Sequence, residues 1–204
     1  MKSTMKKIGI TGPIGAGKSF VCDLLRIRRF NVIDADSLVH ELYRDSSELR
    51  KQIEKEFGSS LLTPSGIDRE RAASLIFKDD CACKKLESLV YPYLTRAILD
   101  FFACEKCVLG FPIKAKFVEA ALLSRVPLIV EELDEVWIVD APENQRLERL
   151  LERGLSREDA SLRIENQRNS FEESLFLGKK VVRIENGKSK SALSKKILEL
   201  IDSL

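Results

Sequence analysis

The chain has 204 residues, 44% of them hydrophobic and 32% charged, with 34 lysines and arginines against 32 aspartates and glutamates and a formal net charge of +2. So close a balance excludes a global field that steers the protein to nucleic acid or a membrane surface, and no apolar run reaches the about 20 residues of a membrane span. The expected partner is a small molecule, and the length suits one compact domain with an appended lobe.

The opening MKSTMKKIGI passes straight into a strand-like segment without a cleavable signal pattern, so a cytoplasmic location is expected. Lys6 to Thr11 reads as a short buried strand, and Gly12 to Gly17 as a turn-rich loop leading into a helix with apolar Val21, Leu24 and Leu25. A second strand, Phe30 to Ile33, ends in Asp34-Ala35-Asp36, after which Leu38, Val39 and Leu42 mark one face of another helix. From Ser46 to Cys104 the pattern is helical, interrupted at Pro64-Ser65-Gly66 and at Tyr91-Pro92, with no convincing strand. Strand character returns at Phe117-Val118, at Val136 to Val139 and at Val181 to Ile184. The last segment, Ser189 to Leu204, puts Leu193, Ile197, Leu200, Ile201 and Leu204 at helical spacing. Strands alternating with helices imply an α/β fold: a parallel sheet covered on both faces, with ligands bound beyond the carboxyl ends of its strands.

Five cysteines, Cys22, Cys81, Cys83, Cys104 and Cys107, are too sparse and odd in number for a disulfide framework, so reduced thiols are expected. Cys104 and Cys107 have C-x-x-C spacing and, with Cys81 and Cys83, could offer four sulfurs to zinc. The alternative is that they pack as small apolar residues on or near a long helical segment.

Gly12-Pro13-Ile14-Gly15-Ala16-Gly17-Lys18-Ser19 fits G-x-x-x-x-G-K-[ST] in full, with a strand before it and a helix after. The glycines let backbone N–H groups turn toward phosphate oxygens, and the helix presents its positive end. Lys18 would reach the β- and γ-phosphates of ATP and the Ser19 hydroxyl would ligate Mg²⁺. The signal is specific for a nucleotide and silent about the reaction.

Asp34 and Asp36 bracket one alanine where a strand ends. A carboxylate there could take the proton of an acceptor hydroxyl held in line with the γ-phosphate, which makes Asp36 the candidate base. The competing reading is that Asp36 caps a helix beginning at Ser37 while Asp34 bonds locally; capping and catalysis can coexist. His40 lies one turn beyond Asp36, either facing the same cleft or partly buried.

Taken in order, I-G-I-T-G-P-I-G-A-G-K-S, V-I-D-A-D-S-L-V-H-E-L and I-D-R-E-R-A-A-S-L-I-F resemble the dephospho-CoA kinase family. The resemblance continues through Leu86-Glu87 to Tyr91-Pro92, Val136 to Pro142, Gln145, Arg149, Arg153, Arg163-Ile164, Gln167 and Ile184-Glu185-Asn186-Gly187, covering nearly the whole chain. It implies a three-layer P-loop kinase fold with about five parallel strands: a core of 1–45, 105–145 and 170–204, a helical substrate lobe of 46–104 and a lid of 146–169. The implied reaction moves the γ-phosphate of Mg·ATP to the ribose 3′-hydroxyl of dephospho-CoA, the last step of CoA synthesis, in a monomer or small homo-oligomer.

By the same resemblance Arg149 and Arg153 are lid arginines that spread charge on the transferred group, and Phe20 and Asn186 join Gly12, Gly15, Ala16, Gly17, Lys18 and Ser19 around ATP. Asp34, His40 and Tyr91 fall on the acceptor side. Tyr91 stands where the family has His, Pro13 where a second glycine is usual, and Phe20 where Ser or Thr often sits. The family's P-L-L-x-E segment matches Val126-Pro127-Leu128 by letters and Glu119-Ala120-Ala121-Leu122-Leu123 by spacing, so Glu119 is the candidate third-strand carboxylate. Two rivals stay open: another small-molecule kinase of the same fold, such as a nucleoside monophosphate or shikimate type, and an inactive ATP-binding relative.

Overall fold

A computed structural model of the chain describes residues 5–64, 66–68, 71–72, 75, 79–104 and 113–204. It divides into two compact units, Met1–Ile33 with Cys104–Leu204, and Asp34–Ala103. In the first, β1 (Lys6–Thr11), β2 (Asn31–Asp34), β5 (Ala115–Glu119), β6 (Glu135–Asp140) and β7 (Lys180–Glu185) form a sheet in the order β2-β5-β1-β6-β7. β1 runs parallel to both β5 and β6, so that Ile10 lies between Glu119 and Trp137, and β7 continues the sheet in parallel beyond β6. The expected five-stranded parallel architecture is present.

Side chains alternate across a strand, so β1 must satisfy two faces at once. Ile8 and Ile10 pack with Val21 and Leu25 of α1 (Lys18–Ile27) and with Leu193 and Ile197 of α8 (Lys190–Asp202). Each fully buried large apolar side chain contributes about 1.5–3 kcal/mol. Phe117 and Trp137 meet edge to face on this side, their centroids 5.2 Å apart. On the other face a Cβ at Gly9 would lie 2.5 Å from Leu123 and 2.6 Å from Leu133, residues that flank the short α5 (Pro127–Glu132). Lys116 in β5 is 1% exposed, and its ammonium donates to the Cys104 carbonyl.

At the amino ends of three strands the buried Glu135 carboxylate accepts from Lys6 at 2.7 Å and Lys180 at 3.0 Å. Burial pushes its carboxyl up, but the two lysines outweigh that and hold it below its ordinary 4.5.

The second unit contains α2 (Ala35–Asp45), α3 (Ser47–Phe57) and α4 (Asp80–Ala103), with Tyr43, Leu49, Ile53, Leu61, Leu86 and Val90 in its core. Two expectations fail here. A two-stranded antiparallel ladder, β3 (Leu62–Thr63) with β4 (Gly66–Ile67), lies where no strand was expected; two residues per strand are too few to show a period. The expected interruption at Tyr91-Pro92 is absent, since Pro92 sits inside α4. An interior proline costs about 3 kcal/mol, but Leu86, Val90, Leu94, Ile98 and Phe102, spaced four apart, are all buried and hold the helix on both sides of it. Ser65 and much of the segment I-D-R-E-R-A-A-S-L-I-F lie outside the described residues.

Because Glu135 titrates below its unfolded value, its contribution is complete above pH 4.5 and is lost as pH falls through the lowered native value. Glu135→Gln should therefore show a shallower acid arm in stability against pH than wild type, measured by urea titrations across the acid range. Parallel acid arms would show that the lysine pairs do not hold this carboxyl down.

Candidate functional site

β1 ends at Thr11, and residues 12–17 carry the chain into α1. Gly12, Gly15 and Gly17 all have positive φ. Space forbids side chains as well: a Cβ at Gly12 would lie 2.0 Å from the Val139 carbonyl oxygen, and one at Gly17 would lie 2.3 Å from Asn186 Nδ2. α1 has Gly17 as its N-cap, with no side-chain cap and no acidic residue in its first turn. Its first N–H groups have no intrahelical partner, and the helix end carries partial positive charge, the arrangement that receives an anion. The Lys18 ammonium folds back to donate to the Gly12 carbonyl at 2.8 Å, while Ser19 is exposed in the first turn of α1.

The loop is held by α6 (Glu143–Glu152) and by the turn after β7. Arg149 donates from Nη1 to the Gly15 carbonyl at 3.0 Å and from Nη2 to the Asn186 carbonyl at 2.9 Å and Gln145 Oε1 at 3.3 Å. Asn186, 8% exposed, donates from Nδ2 to the Ala16 carbonyl at 2.7 Å and from its backbone to the Asp140 carbonyl at 2.6 Å. The peptide group is planar with C=O and N–H opposed, so anchoring the Ala16 carbonyl aims the Gly17 N–H the other way. Gln145 completes the frame by donating to the Gly187 carbonyl at 3.0 Å.

Arg153, the C-cap of α6, is exposed, and its guanidinium has no hydrogen-bond or ion-pair partner among the described residues. Together with Gly17, Ser19, Phe20, Arg149 and Asn186 it lines an open cavity of about 520 Å³, within the ordinary range for small-molecule sites. Gly12, Gly15, Ala16 and Lys18 complete the loop beside it. The two arginines thus differ: Arg149 is spent on oxygens of the loop and its frame, and the Arg153 guanidinium has no partner among the described residues.

Glu119 closes β5 opposite Ile10 and accepts a hydrogen bond from the Cys22 thiol of α1. Burial first, and then the Glu119 carboxylate, push the Cys22 thiol far above its ordinary value, which keeps it a neutral donor. Pro127, the other candidate for this position, opens α5 and lies at no strand end.

The second unit carries Asp34, Asp36, His40 and Tyr91. Asp34 Oδ1 accepts from the backbone N–H of Asp36 at 2.9 Å and of Ser37 at 3.2 Å, and Oδ2 accepts from the Ser37 hydroxyl at 2.9 Å. The cap is therefore Asp34, and the helix begins two residues earlier than the expected start at Ser37. The extended backbone of Asp34 puts its carboxylate within reach of the next N–H groups, as an N-cap requires. Asp36 is exposed in the first turn, His40 follows at i+4 on the same helix face, and Tyr91 is half-buried within α4.

Cys22, Cys81, Cys83 and Cys104 are free thiols, and Cys107 lies outside the described residues. Among the described residues no cluster of three or more His, Cys, Asp or Glu side chains could hold a metal, and no helix is long and apolar enough to cross a membrane. Two glutamines outside the expected site, Gln145 and Gln167, contact the loop or its frame. Apolar periodicity carries no sign of them; they stand out only in the Q-x-x-x-R and R-I-x-x-Q spacings.

The model of a family described as dephospho-CoA kinase matches residues 6–190. A dephospho-CoA kinase of Geobacter sulfurreducens is 34% identical over 202 residues, 96% of this chain and 97% of its own. One of Aquifex aeolicus is 34% identical over 164 residues, 80% of this chain and 81% of its own. The solved structure of a dephospho-CoA kinase from Campylobacter jejuni superposes with a TM-score of 0.66 at 26% identity, covering 97% of this chain and 96% of that one.

Gly17→Ala should lower nucleotide affinity at least about tenfold, because a strained positive-φ residue costs roughly 1–3 kcal/mol and the new methyl displaces Asn186. Calorimetric titration with ATP, beside a thermal melt showing that the fold persists, checks this; unchanged affinity would mean that the Gly17–Asn186 contact does not shape the site.

Proposed function

The chain belongs to the dephospho-CoA kinase family, and with that as premise we propose how its residues divide the work of moving the γ-phosphate of ATP to the ribose 3′-hydroxyl of dephospho-CoA, giving ADP and CoA. The observation that carries the reading is the uncapped start of α1 after Gly17, with Lys18, Ser19 and an Arg153 guanidinium that has no partner among the described residues beside one open cavity.

The uncommitted N–H groups of the loop and the Lys18 ammonium hold the β- and γ-phosphates. The exposed Ser19 hydroxyl fits a Mg²⁺ ligand, because this ion takes most of its octahedron from phosphate oxygens and water and needs no cluster of carboxylates. Bound there, Mg²⁺ would supply charge neutralisation on the triphosphate. Arg149 keeps the loop in shape through the Gly15 carbonyl. Arg153 has its guanidinium available for the charge that develops on the transferred group.

The acceptor oxygen attacks phosphorus, the bond from phosphorus to the β–γ bridging oxygen breaks with its electrons leaving on ADP, and the hydroxyl proton passes to Asp36. Asp34 fixes the first turn of α2 by capping it, and so orients Asp36. His40, Tyr91 and Glu119 are the further acceptor-side groups, residues 46–104 hold dephospho-CoA, and residues 146–169 close to exclude water.

The test is ADP release from Mg·ATP with dephospho-CoA as acceptor, beside shikimate, AMP and dTMP, with CoA identified by mass. Turnover confined to dephospho-CoA is expected. Silence with that acceptor despite ATP binding would favour an inactive relative, the reading that Tyr91 in place of the family's His supports.

Asp36→Asn should lower kcat by about 10²–10⁴-fold, the usual weight of a general base, with ATP affinity close to wild type by calorimetry. Retained turnover, or loss of ATP binding, would remove Asp36 from the role of base.

A further inference from the structure

The second variable position of the phosphate loop is tied to the helical hairpin behind it. Ile14 packs its side chain against Leu150, Ala160 and Ile164, the apolar centre of α6 and α7 (Arg157–Glu165). Its backbone N–H donates to Oε1 of Gln167 at 2.7 Å, two residues past the end of α7. The same peptide group is held at its other end, where the Pro13 carbonyl accepts from the Ala16 N–H at 3.1 Å. Rotation of the Pro13–Ile14 peptide plane would break both bonds. Behind the next residue there is no slack either, because a Cβ at Gly15 would lie 2.8 Å from the Arg146 carbonyl oxygen.

We infer that Gln167 is a positioning residue for the transfer reaction: by fixing the Pro13–Ile14 peptide it holds the phosphate loop in its nucleotide-receiving shape and makes that shape depend on where the α6–α7 hairpin sits. The mechanism rests on the nucleotide reading of the loop. When Gln167 loses its acceptor oxygen, the half-buried Ile14 N–H loses its partner, the peptide turns to find another, and the N–H groups that follow lose their common aim. Gln167 acts through the loop, so its effect falls on ATP and not on the acceptor.

The test compares Gln167→Met, which keeps the length and apolar stem but lacks the oxygen, with Gln167→Glu, which keeps an acceptor at the same reach. In Gln167→Met the KM for ATP and the Kd of Mg·ATP measured without acceptor should rise about tenfold, the weight of one well-placed hydrogen bond. The KM for dephospho-CoA and the melting temperature should stay near wild type. Amide exchange at Ile14 should accelerate in Gln167→Met and remain slow in Gln167→Glu. Unchanged ATP affinity in Gln167→Met would overturn the inference, and so would a matched rise in both KM values with loss of thermal stability. Wild-type turnover of dephospho-CoA is a separate result, so failure of the assigned reaction and failure of the Gln167 role are told apart.

Discussion

The site depends on backbone carbonyls of the phosphate loop being bound by side chains of the protein itself. Arg149 holds the carbonyl of Gly15 and Asn186 holds that of Ala16. A loop of peptide groups presents acceptors as well as donors, and an anion is attracted to the donors and repelled by the acceptors. Drawing these carbonyls onto an arginine and a buried amide turns them from the ligand, and the N–H groups not already committed, as those of Ile14 and Ala16 are, can then serve it. The positive-φ glycines make this possible, since the frame approaches so closely that a methyl group at Gly12 or Gly17 would meet it.

This division also separates the two arginines of α6. They lie four residues apart, in α6 and at its C-cap, and share a cavity wall, yet the Arg149 guanidinium is bonded to the loop and its frame while that of Arg153 has no partner among the described residues. A fork of five donors suits the first task, because guanidinium reaches several fixed oxygens at once. The second task needs an arginine whose donors are uncommitted. Similar residue types at helical spacing thus serve different ends, decided by what each one reaches.

The sheet keeps structural and chemical demands at opposite ends. Glu135, Lys6 and Lys180 join the amino ends of three strands, and the loop, Glu119 and Asp140 stand at the carboxyl ends. Parallel pairing makes this possible, because all carboxyl ends emerge on one side. The aromatic and aliphatic layer between, which includes Phe117 and Trp137, packs the β1 side chains Ile8 and Ile10.

From the sequence alone came the phosphate loop, the five-stranded parallel sheet, the terminal helix and the family, since each is written in contiguous letters: a glycine pattern, buried apolar runs, a 3.6-residue period. What only the tertiary structure decided are the features made by residues far apart in the chain or too few to form a pattern. The paired strands at Leu62–Thr63 and Gly66–Ile67 are too short to show alternation, and helix α4 passes through Pro92 because five buried side chains outweigh one missing hydrogen bond. Helix capping fell to Asp34 and not Asp36, a choice set by which carboxylate reaches the free N–H groups. Arg149 and Gln167 lie 134 and 153 residues from the loop atoms they hold. A hydrogen bond across such a separation leaves no local signature, because its geometry exists only once the strands between them have been brought into register.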